Sequence, residues 1–175
     1  MIIDFHTHTF PEKLATVAIP KMEQQGGIRA FSAATESALK ASMHTAGIDK
    51  SVVLPVATNP LKICSINDIS IEKNGKEGLY YFGCMHPNAQ DPEAELERIH
   101  AAGIKGIKLH PLYQQTDITD RRYLHILAKA AKLDLIVVLH AGDDIGYPGQ
   151  VRCSPKMLRQ AIDQVGKIKL VAAER

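Results

Sequence analysis

The sequence contains no tryptophan, only three cysteines and no marked excess of either charge. Its 175 residues carry 21 Lys or Arg against 19 Asp or Glu, a formal net charge of +2. Because no basic block stands out, we expect binding neither to nucleic acid nor to an anionic membrane surface. No apolar run approaches the length that crosses a bilayer. The first residues also lack the positively charged start of a signal peptide, so we expect a protein of the cytoplasm.

The three cysteines, Cys64, Cys84 and Cys153, are far apart in the chain and form no CxxC pair. Disulfides persist in oxidising compartments, where cysteines are usually even in number and clustered. We therefore expect reduced thiols, which agrees with a cytoplasmic protein.

Six short apolar runs alternate with segments of helical character. The runs are rich in Val, Ile, Leu or Tyr and alternate only weakly, as in strands buried on both faces of a parallel sheet. Asp91-Pro92 and Ser154-Pro155 each predict a helix start, with the polar residue as N-cap and proline in the first turn. The predicted strands are residues 2–5, 51–57, 79–85, 106–109, 135–139 and 168–172, and the predicted helices are 35–47, 91–103, 119–132 and 154–166.

The chain has no Gly/Ser-rich linker, repeat or low-complexity tract, so we expect residues 1–175 to form a single domain. Strand–helix alternation indicates an α/β fold with right-handed crossovers. A closed (β/α)8 barrel of the TIM type and an open doubly wound sheet both fit the spacing. Polar residues at the ends of several strands favour the barrel, because barrel enzymes build their sites there. About six β/α units are present, which makes an incomplete barrel.

Histidines end two of the predicted strands. His6 and His8 are two apart on the first strand and point the same way, so both can approach one ion at about 2.0–2.1 Å from each nitrogen. His140 ends the fifth strand after three aliphatic residues, and a histidine buried there needs a partner. We therefore expect His6, His8 and His140 to be metal ligands.

The fourth predicted strand runs Gly-Ile-Lys-Leu-His-Pro, and its Lys108 and His110 face the same side. A lysine that points into a barrel is costly unless it is paired or bound. Lys108 can neutralise a carboxylate of the substrate or of the protein. His110 can bind the metal or donate a hydrogen bond to the substrate. We carry both as candidate catalytic residues.

The opening strand with its HxH pair, the segment GIKLHP and the segment VVLHAG resemble the amidohydrolase superfamily. The similarity is to the branch that includes aminocarboxymuconate-semialdehyde decarboxylase, and it covers essentially the whole chain. The resemblance implies a TIM barrel with a divalent metal, usually zinc, at its C-terminal mouth. It places the first-strand ligands at His6 and His8 and the fifth-strand ligand at His140.

The sequence departs from the family pattern at its far end. The family's sixth-strand histidine should follow residues 169–173, where this sequence has Glu174. The family's aspartate and strands seven and eight have no counterpart, so we expect a chain truncated at its carboxyl end. Closure through a partner subunit and loss of catalysis are the alternatives. Because Glu174 lies at a comparable strand end, it is a third candidate catalytic residue.

Candidates for substrate binding lie in the loops after the fourth and fifth strands. They are Tyr113, Asp143 and Arg152, and the arginine can hold a substrate carboxylate in bidentate fashion. Asp143 and Asp144, which follow His140 closely, are also alternatives to Glu174 as the carboxylate that accepts a proton. Residues 10–34 form a long connection after the first strand, which predicts a lid over the mouth of the barrel.

Three functions fit these residues. The first is a metal-dependent hydrolase that uses a metal-activated water on an amide, ester or lactone-like bond of a small molecule. The second is a non-oxidative decarboxylase of a small aromatic or unsaturated carboxylic acid. The third is a truncated, non-catalytic metal-binding remnant whose open edge strands bind a second copy, which makes a homo-oligomer.

Overall fold

A computed structural model describes residues 1–173, in which parallel strands alternate with helices. The strands are β1 (Ile3–Thr7), β2 (Lys50–Val53), β3 (Leu79–Tyr81), β4 (Gly83–Cys84), β5 (Gly106–Leu109), β6 (Ile136–His140) and β7 (Lys169–Ala173). The helices are α1 (Glu12–Gly26), α2 (Glu36–Ala46), α3 (Ile63–Lys73), α4 (Pro92–Ala101), α5 (Arg121–Lys132) and α6 (Pro155–Val165).

Every strand pair is parallel, and the strand order follows the chain order. β1, β2 and β3 form one ladder, and β4 to β7 form the next. Phe82 lies between them in the chain, and its amide donates to the Val53 carbonyl oxygen at 3.0 Å, which continues the pairing with β2 one residue beyond β3. The third predicted strand is therefore interrupted at Phe82. An unreversed order is that of a barrel, because a doubly wound sheet reverses direction at a switch point.

The two faces of the sheet have different partners. Alternate residues of β5 and β6, such as Ile107 and Val137, belong to the main apolar core with the helices. On the opposite face, Val138 packs with Val52 and Phe82 in a smaller cluster. Because side chains alternate along a strand, Lys108 and His140 project on that second face, inside the barrel wall.

Local capping explains where the helices begin. The Asp91 side chain accepts from the Ala94 amide and the Ser154 side chain accepts from the Met157 amide, so both predicted N-caps are confirmed. Among the described helices, none combines the length and the apolar character of a membrane span.

Two segments differ from the sequence-based prediction. The stretch 10–34, expected to be a long lid loop, contains the 15-residue helix α1, which buries only Ala15. Its weak apolar stripe gave no clear helical period. Helix α3 was also missed, because its mixed Ile, Ser and Asn sequence has a weak periodic pattern.

Candidate functional site

The end of β1 turns two histidines toward one point. Asp4 pairs with Ser51 and Thr7 pairs with Val53, so Phe5 and His6 of β1 lie opposite the single residue Val52 of β2. Such a bulge re-aims the side chains beyond it. His6 lies within the bulge and His8 beyond it, and their Nε2 atoms lie 3.1 Å apart.

The main chain of the neighbouring strand orients His8. Its Nδ1 lies 2.7 Å from the Leu54 carbonyl oxygen, just beyond the end of β2. A carbonyl only accepts, so Nδ1 carries the proton and Nε2 carries the lone pair. This is the arrangement that usually supports a metal-binding histidine.

Lys108 places a buried amine beside this pair. The residue is 1 % exposed, and its Nζ lies 3.3 Å from Nε2 of His6. Burial lowers the pKa of Lys108 to about 8, because an ammonium is poorly solvated there. Among residues 1–173, no carboxylate forms a salt bridge with this amine.

The ends of β5 and β6 bring a second group of metal-binding residue types together. The rings of His110 and His140 are stacked, with centroids 4.1 Å apart and planes inclined by 8°. Asp144 Oδ2 lies 3.9 Å from Nε2 of His110 and 3.8 Å from Nε2 of His140. Ligand atoms of the three residues all lie within 4.8 Å of one another. This group could hold a metal ion.

The two groups share one region of the barrel mouth. Burial, together with the charges of His140, Lys108 and His8, lowers the pKa of His110 to about 2. The electrostatic influence of Lys108 and His8 on His110 connects the first-strand pair with the cluster on β5 and β6. That His6, His8 and His140 bind one ion together stays a prediction.

Tyr113 and Gln114 hold the loop after β5. The Tyr113 ring is stacked on His110, with centroids 3.7 Å apart, so it lies at the cluster, and its contact with a substrate stays a prediction. Gln114 is buried, and its amide donates to the carbonyl oxygens of Ala57 and Met85 at 2.7 and 2.6 Å. Its Oε1 accepts from the His110 amide at 3.2 Å. Gln114 thus ties the ends of β2, β4 and β5 together.

Two predicted site residues lie away from the histidine cluster, and a third lies outside the described residues. Arg152 donates to Asp117 Oδ1 at 3.0 Å on the surface, so that carboxylate already engages its guanidinium. Asp143 is exposed, whereas the next residue, Asp144, faces the histidines. Glu174 lies outside the described residues. The sequence did not predict that Gln114 links the strand ends, because a glutamine in the loop after His110-Pro111 belongs to no recognisable motif.

Comparison with known proteins decides the family. The family model Amidohydro_2, described as amidohydrolase, matches residues 3–171. The chain belongs to the amidohydrolase family. A search of curated protein sequences finds no match.

Solved structures similar to this amidohydrolase share its fold. IDCase from Metarhizium anisopliae in apo form has a TM-score of 0.69 and 18% identity, over 98% of this chain and 64% of that chain. A second similar structure is 5-carboxyvanillate decarboxylase from Novosphingobium aromaticivorans, complexed with manganese and 4-hydroxy-3-methoxy-5-nitrobenzoic acid. Its TM-score is 0.56 and its sequence identity is 16%, over 81% of this chain and 50% of that chain. 2,6-Dihydroxybenzoate decarboxylase from Rhizobium has a TM-score of 0.53 and 19% identity, over 82% of this chain and 50% of that chain.

These likenesses confirm the predicted α/β fold as part of a TIM-type barrel. The chain spans between half and 64% of the length of these three structures. Within the described residues, β1 pairs with β2 alone and β7 pairs with β6 alone, so the barrel wall is open at both edges.

Proposed function

We propose that this amidohydrolase carries the metal-binding part of the active site of an enzyme that acts on a small carboxylic acid. The observation that carries the proposal is the pair His6 and His8 with the buried amine of Lys108 beside it. A site for a cation and a site for an anion thus lie next to each other.

The donor set fits a divalent metal. Two nitrogens about 2.1 Å from one tetrahedral ion lie roughly 3.4 Å apart, close to the observed 3.1 Å between His6 and His8. His140 and Asp144 would complete the set with one imidazole and one carboxylate. Imidazole and carboxylate accept zinc and also manganese, and zinc is our first choice. When bound, the ion supplies positive charge that polarises an oxygen of the substrate.

Lys108 defines the anionic end of the substrate. No carboxylate of residues 1–173 forms a salt bridge with this buried amine, and a substrate carboxylate would supply a negative charge beside it. The Tyr113 ring at the same mouth offers a flat surface for an aromatic or unsaturated acid. Arg152, engaged by Asp117, is left out of this assignment.

Non-oxidative decarboxylation is the first candidate reaction. The bond between the carboxyl carbon and the rest of the substrate breaks, carbon dioxide leaves, and a proton takes its place on carbon. Lys108 is a buried nitrogen that can hold and deliver a proton next to the substrate. Two of the similar structures are decarboxylases, which supports this order of preference.

Hydrolysis is the second candidate, and Asp144 favours it. Attack of water on a carbonyl carbon needs a group that accepts a proton, and a half-buried carboxylate near His140 can do so. Water adds to the carbonyl carbon, the bond to the leaving oxygen or nitrogen breaks, and the leaving group takes the proton.

Product analysis on the purified chain separates the two reactions. The chain is incubated with zinc or manganese and with 5-carboxyvanillate, 2,6-dihydroxybenzoate and carboxylated lactones. Carbon dioxide release marks decarboxylation, and ring-opened acid marks hydrolysis. Lys108→Met should lower either rate by about a hundredfold or more, whereas the exposed Lys105→Met should not.

Ligand binding tests the substrate class independently of turnover. The probe is 4-hydroxy-3-methoxy-5-nitrobenzoic acid, the aromatic acid found in one of the similar structures. We expect it to bind the metal-loaded chain and to bind Lys108→Met at least tenfold more weakly. Equal binding to both would remove Lys108 from the site and with it the carboxylate assignment.

A further inference from the structure

Histidines at the strand ends differ in what faces Nδ1. His8 Nδ1 faces the carbonyl oxygen of Leu54, so it donates. His110 Nδ1 faces the main-chain amide of Tyr113 at 3.3 Å, so it accepts. The same ring atom therefore has opposite roles in the two residues.

This difference fixes the tautomer of each ring. A neutral imidazole carries one proton, and a ring whose Nδ1 accepts must carry it on Nε2. A ring nitrogen that bears a proton has no lone pair for a metal ion. His8 thus presents a lone pair at Nε2, whereas His110 presents an N–H group there.

Packing holds His110 in this state. Its ring lies between Tyr113 at 3.7 Å and His140 at 4.1 Å, measured between centroids. Its own main-chain amide donates to Gln114 Oε1, which fixes the backbone at the end of β5. Moving the proton to Nδ1 would set two N–H groups against each other, or require the ring to leave the stack.

We propose that His110 is a positioning residue that presents its Nε2 proton to the carboxylate of Asp144 and does not bind the metal. Asp144 Oδ2 lies 3.9 Å from this nitrogen, so the neutral N–H group and the carboxylate face each other without a direct hydrogen bond in the metal-free protein. The N–H edge of the ring would orient the Asp144 carboxylate beside His140. The assignment rests on the proposed metal site and divides its residues into ligands and a supporting donor.

Nuclear magnetic resonance reads the tautomer directly in the metal-free protein. The full chain is labelled with 15N-histidine, and two-bond 1H–15N correlations show which ring nitrogen carries the proton. We expect Nε2–H for His110 and Nδ1–H for His8. His86 is a built-in reference, because its Nδ1 also accepts a main-chain amide, from Asn88 at 3.1 Å. A proton on Nδ1 of His110 would overturn the proposal.

Zinc addition extends the same experiment. The Nε2 resonance of His8 should move, while His110 should keep its Nε2 proton. If the chain binds no zinc at all, the proposed metal site fails, and the tautomer of the metal-free protein still decides the role of His110. Loss of the His110 Nε2 proton on zinc addition would make it a ligand and contradict the proposal.

Zinc affinity, measured by competition with a chelator, separates a ligand from a supporting donor. His110→Gln keeps an N–H donor and should stay close to wild type. His110→Ala should bind zinc about tenfold more weakly, as loss of an outer-shell partner does. His140→Ala should lose far more, and His86→Gln is the matched control. A loss in His110→Gln as large as that in His140→Ala would sink the proposal.

Discussion

The buried Lys108 places its Nζ 3.3 Å from Nε2 of the exposed His6 at the end of β1. This contact brings a protonatable amine next to His6, whose Nε2 lies at a distance from Nε2 of His8 that suits two ligands of one metal ion. It connects β1 with β5, which are far apart in the chain. The functional proposal depends on this contact.

The buried amine should weaken the metal-free protein. Burial depresses the pKa of Lys108 from 10.5 to about 8, so below pH 8 folding must keep a charged group in a poorly solvated position. Lys108→Met should raise the free energy of unfolding by about 1–3 kcal/mol at pH 7. Because the unfolded amine loses its proton near pH 10.5, this advantage should shrink between pH 8 and pH 10.5.

Urea unfolding at pH 7 and pH 10 measures this difference, with Lys105→Met as the exposed control. A Lys108→Met variant that is less stable than wild type at pH 7 would show that the amine is well paired in the folded chain.

Gln114 should be worth more to stability than other glutamines. Its side chain satisfies the carbonyls of Ala57 and Met85 and the amide of His110, and it accepts from the Tyr123 hydroxyl. Gln114→Leu leaves these buried groups unpaired and should cost about 2–4 kcal/mol in chemical unfolding. The exposed Gln164→Leu should change stability by less than about 0.5 kcal/mol. Equal changes in the free energy of unfolding for the two substitutions would show that Gln114 does not link the strand ends.

Glu36 should make stability depend on acid pH. Hydrogen bonds from Lys40 and Lys73 lower the pKa of Glu36 to about 2, against 4.5 for an ordinary glutamate. A depressed carboxyl pKa stabilises the fold above the unfolded value and loses that effect as pH falls from 4.5 toward 2. Glu36→Gln should therefore cost about 1 kcal/mol at pH 7, reduced by solvent screening, and almost nothing near pH 2.

Thermal unfolding of wild type and Glu36→Gln from pH 2 to pH 7 checks this behaviour. Glu72→Gln, an exposed substitution next to Lys73 in the chain, is the control. A difference between Glu36→Gln and wild type that is constant across this range would exclude the ion pair as its cause.

Gly106 begins β5 where the chain leaves no room for a side chain. A Cβ there would overlap the carbonyl oxygen of Ile136 and the ring of Phe82. The carbonyl belongs to the sheet and cannot turn away, so Gly106→Ala should cost about 1–3 kcal/mol. Its neighbour Lys105→Ala should change stability by less than about 0.5 kcal/mol. Comparable midpoints in urea for both variants would contradict this packing.

Sequence patterns predicted the parts of the molecule that depend on local chemistry. The apolar runs at β5 and β6 and the caps Asp91 and Ser154 were identified because strand burial and N-capping act over a few residues. The break at Phe82 was missed, because the predicted strand 79–85 is apolar on both sides of it. Helix α1 was missed because it lies largely in solvent and has little apolar periodicity.

In the candidate site, too, the sequence predicted the features that depend on local chemistry and missed the others. Strand parity correctly set His6 and His8 side by side, and Lys108 on the inner face. It could not choose between Asp143 and Asp144, because the turn after Gly142 decides which carboxylate faces His140. Nor could it foresee that the Tyr113 amide fixes the proton of His110.

Metal content tests the central claim most directly. After exposure to zinc and removal of excess, the purified chain should hold about one ion by elemental analysis. His6→Ala and His140→Ala should each lose most of it, and His44→Ala, on the exposed side of α2, should keep it. Metal content that is unchanged in both the His6 and His140 variants would contradict the account.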